Sequence, residues 1–232
     1  MKRLTKPRFM LVYPLVALLF FVARPSEHLM WVGIPLILMG LAVRFWANGY
    51  VGHVKVNQTG RSSPKIGRLI TAGPYAYVRH PLYFGSFLVG LGFCVIVGSW
   101  WFLALGLAAL LVVYRRKVDE EEAVLHHEWA QEFERYKKAV PLWLPIGRRY
   151  PRGQGQWSWQ GIAASKEIKT VVWVTVFLIV LYFWEEVFEE HEALLGKHWA
   201  WRLFLLAALL ILVVGDGAFE LRRRRQKRLA HR

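Results

Sequence analysis

The sequence predicts an all-α membrane protein, a polytopic transmembrane helical bundle of about six spans that includes a tight helical hairpin and a helical extension on the cytoplasmic side. Hydrophobic residues make up 55% of the 232 residues. They gather in runs that basic segments separate, which is typical of membrane proteins. The formal net charge is +15, but it lies beside the apolar runs. That distribution argues against a nucleic-acid-binding domain.

The apolar segments are 9–23, 29–47, 82–98, 100–114, 170–184 and 200–214. Several are shorter than the roughly 20 residues that a full span needs, and we expect flanking tyrosines and tryptophans to complete them. Only Gly98 and Ser99 separate the third segment from the fourth, which predicts the hairpin. The heavily charged segment 115–140 keeps a helical period, so we expect it to continue the fourth span into the cytoplasm.

Basic residues set the predicted orientation. The segment 51–80 holds five Lys or Arg and no acid, and the tail contains Arg222 to Arg225, whereas 185–199 holds five Glu and one Lys. Because positive loops stay inside, both termini are predicted to be cytoplasmic. We expect an integral membrane protein of a bacterial inner membrane. The single cysteine, Cys94, excludes an intrachain disulfide.

Composition divides the chain into four predicted parts. Residues 1–50 form N-terminal spanning helices, and residues 51–145 form a core of loop, hairpin and cytoplasmic helix. A Gly-rich stretch without periodicity predicts a linker over 146–169. An accessory pair of spanning helices and a basic tail complete the chain at 170–232.

Two clusters meet at the predicted cytoplasmic mouth of the hairpin. One is GPYAYVRHPLYFG, residues 73–85, and the other occupies residues 114–145. Pro81 suits the first turn of a helix, whose free N–H groups can hold an anion. Glu121 lies one turn after Lys117 on the same helix face. An anion site, aromatic rings and a fixed carboxylate suit a ligand with a carboxylate, an aromatic base and a ribose diol.

The blocks RLITAGPYAYVRHPLYFG, RRKVDEEEAVL and YKKAVPLWLP occur in that order, and GLAVRFWANGYVGHVKVN precedes them. Over roughly residues 40–145 the chain resembles the isoprenylcysteine carboxyl methyltransferases. That family belongs with the phospholipid N-methyltransferases, integral membrane enzymes that use S-adenosylmethionine. The resemblance implies direct transfer of a methyl group to an acceptor that arrives through the membrane.

The resemblance also implies site residues. The implied cofactor-binding residues are Gly67, Arg68, Leu69, Ile70, Tyr75, His80, Pro81, Leu82, Tyr83 and Glu121. Lys117 stands where the carboxyl methyltransferases have an acceptor-binding arginine. It keeps the charge without the planar two-pronged donor, which leaves the acceptor open. No residue is identified as a general base.

Three other polar features have simpler interpretations. We expect Arg44, in the second apolar segment, to extend to the interface rather than contact an acceptor. Of the acidic run 119–122, only Glu121 is assigned to the site, and the others are interpreted as solvated charges. His126, His127 and Glu122 lack the spacing of a metal motif, so no metal site is predicted.

The predicted function is therefore methylation of a lipophilic acceptor, a lipid-like molecule or lipid-modified protein bearing a carboxylate or thiol. A phospholipid amine is the second candidate acceptor. A membrane sterol reductase using NADPH shares the Arg-His-Pro-x-Tyr motif, but the acidic run here differs from the one typical of those reductases. A membrane scaffold that keeps a cofactor-binding shell is the non-enzymatic alternative.

Overall fold

The computed structural model describes residues 23–51, 69–151, 153–165, 167–186 and 199–229. In these ranges the chain forms six α-helices and one short 3₁₀ helix, without strands, so the predicted all-α class is confirmed. The helices are α1 (Glu27–Val51), α2 (Pro81–Ile96), α3 (Trp100–Ala139), α4 (Trp159–Ala164), α5 (Glu167–Trp184) and α6 (Trp199–Leu229); the 3₁₀ helix is Gly73–Ala76.

Three of these helices are long and apolar enough to cross a membrane: Glu27–Val51, Glu167–Trp184 and Trp199–Ala218. The helix α2 has 16 residues and is shorter. The prediction of an integral membrane helical protein is therefore confirmed, whereas the number of spans stays a prediction. The first predicted span, 9–23, lies almost wholly outside the described residues.

Paired glycines let α1 and α2 pack closely. A Cβ built on Gly40 would lie 2.6 Å from the carbonyl oxygen of Gly85, and one on Gly33 would lie 2.7 Å from that of Gly92. Small residues of this kind allow helix backbones to approach within a membrane. The two glycine pairs fix the register of an antiparallel helix pair, in which the C-terminal part of α1 lies beside the start of α2.

The predicted hairpin connects α2 to α3. Gly98 takes a φ of +72°, which favours glycine, and the Ser99 hydroxyl accepts a hydrogen bond from the Phe102 N–H at 3.4 Å to cap α3. The helix α3 continues to Ala139 as predicted but is kinked at Trp129, which has φ −132° and ψ 38°.

The predicted linker is partly ordered against the core. The Tyr150 N–H donates to the Ala76 carbonyl at 2.9 Å, and the Ser158 N–H donates to the Gly49 carbonyl at 2.9 Å. The chain divides into two compact units, Met1–Ser165 and Lys166–Arg232, so the unit boundary lies near the end of the predicted linker. The four-part division of the chain stays a prediction.

In the described part of the second unit, one ion pair joins α5 to α6, and a second joins α6 to a residue just after α5. The Lys169 ammonium lies 3.0 Å from the Asp216 carboxylate, which also accepts from the Trp173 indole at 3.2 Å. Farther along the pair, the Glu186 carboxylate binds the buried Arg202 guanidinium. The helix α6 continues beyond its apolar part to Leu229, so the basic tail residues 222–228 extend the same helix.

Candidate functional site

The predicted loop leads into α2 through a constrained turn. Gly73 takes a φ of +63°, and a Cβ there would lie 2.2 Å from the Tyr50 ring, so both backbone and space require glycine. The 3₁₀ helix follows, and its Tyr75 carbonyl accepts a hydrogen bond from the Tyr136 hydroxyl at 2.6 Å. The Arg79 N–H donates to the Pro141 carbonyl at 3.0 Å. Residues after the kink of α3 therefore hold this loop in place.

His80 lies at the centre of the site. Its side chain is buried, and Pro81 follows as the first residue of α2. The imidazole Nδ1 lies 3.5 Å from the Glu121 carboxylate, and Nε2 lies 3.3 Å from the Glu122 carboxylate. Burial lowers the pKa of His80, but the hydrogen bonds with Glu121 and Glu122 outweigh it and raise the pKa above its ordinary value.

Aromatic side chains surround Glu121. The Tyr83 hydroxyl forms a hydrogen bond with the Glu121 carboxylate, and the Tyr83 ring lies 5.7 Å from His80 and 5.3 Å from Tyr114, measured between centroids. Burial and then the negative charge of Glu121 hold the pKa of Tyr75 above its ordinary value. The Glu121 side chain keeps 33% of its surface exposed. It is therefore an accessible carboxylate among tyrosine rings.

Glu122 is a second acidic centre that sequence reasoning assigned to solvent, and that interpretation is wrong. Its carboxylate lies 2.5 Å from the Arg79 guanidinium and 3.2 Å from the Lys137 ammonium, besides His80. Burial would raise the pKa of Glu122, but the hydrogen bond with His80 and the charges of Arg79 and Lys137 lower it to about 2. In the sequence, the only indication of a role for Glu122 was its position next to Glu121. Its contact with Lys137 could not be predicted, because that contact depends on the kink of α3.

The predicted cofactor residues separate into four groups. Tyr75, His80, Tyr83 and Glu121 come together. The Leu69 side chain packs in a core with Phe133, Tyr136 and Val140, and Pro81 is buried at the start of α2. Ile70 is half-buried, and Leu82 presents its carbonyl to Arg44. Gly67 and Arg68 lie outside the described residues.

Lys117 and Arg44 lie on the two helices that flank α2. Lys117 is half-buried on α3, one turn before Glu121. The Arg44 guanidinium donates to the Leu82 carbonyl at 3.4 Å and to the Ser86 hydroxyl. Arg44 therefore contacts α2 at the site, which differs from the predicted extension to the interface, because the absence of a side chain at Gly85 lets it pass over that helix.

This fold and this site define an integral membrane protein with a polar, aromatic-lined centre where α2 begins beside α3. Residues 28–132 match the family model described as phospholipid methyltransferase. This match, together with the relatives described next, confirms the predicted resemblance to the phospholipid and isoprenylcysteine methyltransferases.

Three relatives illustrate the similarity. The chain is 36% identical over 78 residues to the protein-S-isoprenylcysteine O-methyltransferase of Schizosaccharomyces pombe, covering 34% of this chain and 33% of the relative. It is 29% identical over 154 residues to the protein of that name from Homo sapiens, covering 59% and 52%. It is 26% identical over 179 residues to the cobalt-zinc-cadmium resistance protein CzcN of Cupriavidus metallidurans, covering 75% and 77%. The chain thus spans about half or less of these two methyltransferases.

Proposed function

We propose that the protein is an integral membrane methyltransferase that uses S-adenosylmethionine and acts on a lipophilic acceptor, most like an isoprenylcysteine carboxyl O-methyltransferase. The observation that carries this proposal is the convergence of His80, Tyr83 and Glu121 inside the region that matches the family. His80 and Tyr83 belong to the first predicted cluster, residues 73–85, and Glu121 belongs to the second, residues 114–145. The hairpin brings the two clusters together.

The residues present fit S-adenosylmethionine. The exposed part of the Glu121 carboxylate can pair with the ammonium group of its amino acid portion. The faces of Tyr83 and Tyr75 can pack against a cationic sulfonium or an adenine ring. When bound, the cofactor supplies an electrophilic methyl group. We assign its binding to Tyr75, His80, Tyr83 and Glu121, together with the loop residues 67–70 and the start of α2.

In this proposal Lys117 contacts the acceptor. It lies one turn from Glu121, so an acceptor held there is close to the cofactor residues. A carboxylate acceptor is already ionised near neutral pH. The protein then needs to orient the acceptor rather than deprotonate it.

The proposed topology places this site at the inner leaflet, with both termini in the cytoplasm of a bacterial cell. Positive charge beside the site and in the tail, against an acidic connection between α5 and α6, supports this orientation. The acceptor enters from the bilayer and the cofactor enters from the cytoplasm. A phospholipid amine is the second candidate acceptor, because the matching family model is named for phospholipid methylation.

The remaining alternatives have less support. A reductase would bind NADPH rather than S-adenosylmethionine. A non-catalytic scaffold would bind a cofactor without turnover. The metal-resistance name of one relative is a statement about that protein. In the described ranges no group of three or more His, Cys, Asp or Glu side chains is arranged to hold a metal ion.

The proposal is tested with radiolabelled S-adenosylmethionine. The purified protein is incubated with the labelled cofactor, total membrane lipid and membrane protein, and the products are then separated. Alkali-labile label in a lipid or protein identifies a methyl ester, and alkali-stable label in a head group identifies an amine acceptor. Calorimetry with S-adenosylmethionine and with NADPH distinguishes the methyltransferase from the reductase, since only a reductase would bind NADPH. Cofactor binding without label in any fraction would instead support the scaffold.

Variants test the assigned roles. Glu121→Ala and His80→Ala are expected to lose cofactor binding while the protein still inserts in the membrane. Lys117→Ala is expected to keep cofactor binding and to use the acceptor less well. Glu120→Ala is the matched control, since Glu120 is exposed on the same helix. Loss of cofactor binding in Lys117→Ala, with acceptor binding intact, would contradict this division.

A further inference from the structure

The chain between α3 and α5 lies beyond residues 28–132, which match the family model, and it packs on the C-terminal end of α1. The Ser158 N–H donates to the Gly49 carbonyl at 2.9 Å. A Cβ on Gly161, in α4, would lie 2.7 Å from the same carbonyl oxygen, and one on Gly49 would overlap the Trp157 indole. The helix α4 is therefore fixed by close backbone contact to a helix that is long and apolar enough to span a membrane.

Aromatic side chains cover this junction and remain exposed. Trp159 is 69% exposed, and Phe45 and Trp46 on α1 are 37% and 44% exposed. The Trp159 ring packs edge-on against Phe45 at 6.0 Å and against the half-buried Trp157 at 4.8 Å, measured between centroids. We call Phe45, Trp46, Trp157 and Trp159 the aromatic surface. Exposed apolar side chains gathered in one patch mark a contact with a membrane or another molecule.

The register of α1 and α2 gives the depth of the aromatic surface. Gly40 meets Gly85 and the two helices are antiparallel. Five residues farther along α1, Phe45 is therefore level with His80, where α2 begins. The apolar part of α2 starts at this level, and the polar loop precedes it. Tryptophan is enriched at such a boundary, where its ring can lie among lipid chains while its N–H meets the head groups.

The segment that carries α4 also carries exposed cations. Arg148 and Arg149 are exposed, and the Tyr150 N–H donates to the Ala76 carbonyl at 2.9 Å, which ties them to the loop before α2. Basic residues near a membrane surface attract anionic head groups. Aromatic rings on a segment with exposed cations therefore fit the head-group region of a bilayer better than they fit an uncharged apolar partner.

The same segment holds the loop before α2. The N–H groups of Thr71 and Ala72 donate to the Gln154 carbonyl at 2.9 and 3.1 Å, and the Gln154 N–H donates to the Thr71 hydroxyl at 2.9 Å. Trp157 follows Gln154 by only three residues. A contact that holds Trp157 and its neighbour Trp159 in place therefore also holds the residues just before the 3₁₀ helix.

We propose that the aromatic surface binds the head-group region of a phospholipid bilayer, and that this contact holds the segment 153–165 against the loop 69–77. Lipid covers the exposed faces of Phe45, Trp46 and Trp159, and burial of these rings stabilises the docked segment. Without the lipid contact the segment loses this stabilisation, and the hydrogen bonds to the loop open more often. None of the four aromatic residues belongs to the proposed cofactor or acceptor contacts.

A spin label measures the depth of α4. Cys94→Ala removes the single cysteine. Ala163→Cys then places one label at an exposed position one turn after Trp159, on the same face. The full chain is reconstituted in vesicles of phosphatidylethanolamine and phosphatidylglycerol. We expect the label at 163 to relax faster with oxygen, which partitions into lipid, than with a water-soluble nickel chelate. A label introduced by His127→Cys, at a highly exposed position on α3, should show the reverse preference and is the control.

Hydrogen exchange in the same vesicles measures the hold on the loop. Trp159→Gln should raise the exchange rate of residues 69–77 by about two- to tenfold, the equivalent of one aromatic contact. Trp31→Gln is the matched control, since Trp31 is 72% exposed near the other end of α1, and it should leave this rate unchanged. If Trp159→Gln raises exchange throughout α2 as well, Ala163→Glu decides. It places a charge on the same exposed face and should raise exchange in the loop without raising it in α2.

Three outcomes would overturn the proposal. The first is a label at 163 with the water-exposed profile of the label at 127. The second is dipolar broadening between labels of two molecules, which would place a second copy on the aromatic surface. The third is a label at lipid depth with unchanged loop exchange in both Trp159→Gln and Ala163→Glu, which would show that the bilayer does not hold the loop. Neither measurement requires methyl transfer, so failure here and failure of the proposed function are distinguishable.

Discussion

Glu122 connects three parts of the chain through one carboxylate. It meets Arg79 and His80 from the loop before α2 and Lys137 from beyond the kink of α3. We predict that Glu122→Gln lowers the free energy of unfolding by about 1.5–3 kcal/mol, because charged hydrogen bonds of this kind are lost. Thermal unfolding in detergent measures this change.

Glu120→Gln is the control for this prediction, since it removes an exposed carboxylate two residues away. It should change stability by less than about 0.5 kcal/mol. Equal effects of the two variants would show that the Glu122 network does not stabilise the protein.

His80 gives the site a predicted pH dependence. The pKa of His80 is raised in the folded protein. The stability that charged His80 contributes is therefore fully present below pH 6.5, its ordinary pKa, and is lost as the pH rises through the raised pKa. Glu122, with a pKa of about 2, stays ionised over this range. We predict that the stability difference between wild type and His80→Gln shrinks between about pH 6 and pH 9. Melting curves over that range test this, and a difference that grows with pH would contradict it.

The kink of α3 determines which of its charges reach the site. Lys137 follows Glu122 by 15 residues, which a straight helix would separate by about 22 Å, yet their charged groups lie 3.2 Å apart. The change of direction at Trp129 also brings Phe133 and Tyr136 against Leu69. The kinked part of α3 is therefore a wall of the site rather than a solvated extension.

The glycine contacts of α1 and α2 yield a prediction at the scale of the helix pair. Gly40→Ala places a Cβ 2.6 Å from the Gly85 carbonyl oxygen and 2.8 Å from the Val89 backbone N, and neither atom can move away without shifting a helix. We predict a loss of about 1–3 kcal/mol in the free energy of unfolding. Because the start of α2 also carries Tyr83, cofactor binding should weaken.

Gly215→Ala serves as the control for helix packing. A Cβ there meets nothing within 4 Å, and alanine favours the helix more than glycine does. It should therefore leave stability unchanged or raise it slightly. A Gly40→Ala protein as stable as Gly215→Ala would contradict the close packing of α1 and α2.

At the scale of the whole molecule, the site residues described here all belong to the first unit, whereas α5 and α6 form the second. We predict that Asp216→Asn, which removes the charge that pairs with Lys169 and weakens the contact with Trp173, destabilises α5 and α6 without changing the affinity for S-adenosylmethionine. Hydrogen exchange of peptides from each unit, alongside calorimetry, measures both effects. A matched loss of cofactor affinity would indicate that the second unit supports the site.

The predicted linker is where sequence and structure differ most at this scale. Its glycines and lack of periodicity gave no sign of packing. In the structure, the Thr71 N–H donates to the Gln154 carbonyl, and the Thr71 hydroxyl accepts from the Gln154 N–H, both at 2.9 Å. The Gln154 amide also donates to Glu132 at 2.9 Å. Irregular segments of this kind pack through backbone hydrogen bonds, which side-chain patterns do not encode.

The sequence by itself determined the helical membrane class, the hairpin at Gly98 and Ser99, and the approach of Tyr83 and Glu121, because hydrophobic length, turn chemistry and helix periodicity are local properties. Only the tertiary structure decided that the half-buried Glu122 meets Arg79, His80 and Lys137, and that Arg44 turns toward α2. The kink at Trp129 and the missing side chain at Gly85 produce these two results. Both depend on which helices meet, a long-range outcome that no local pattern specifies.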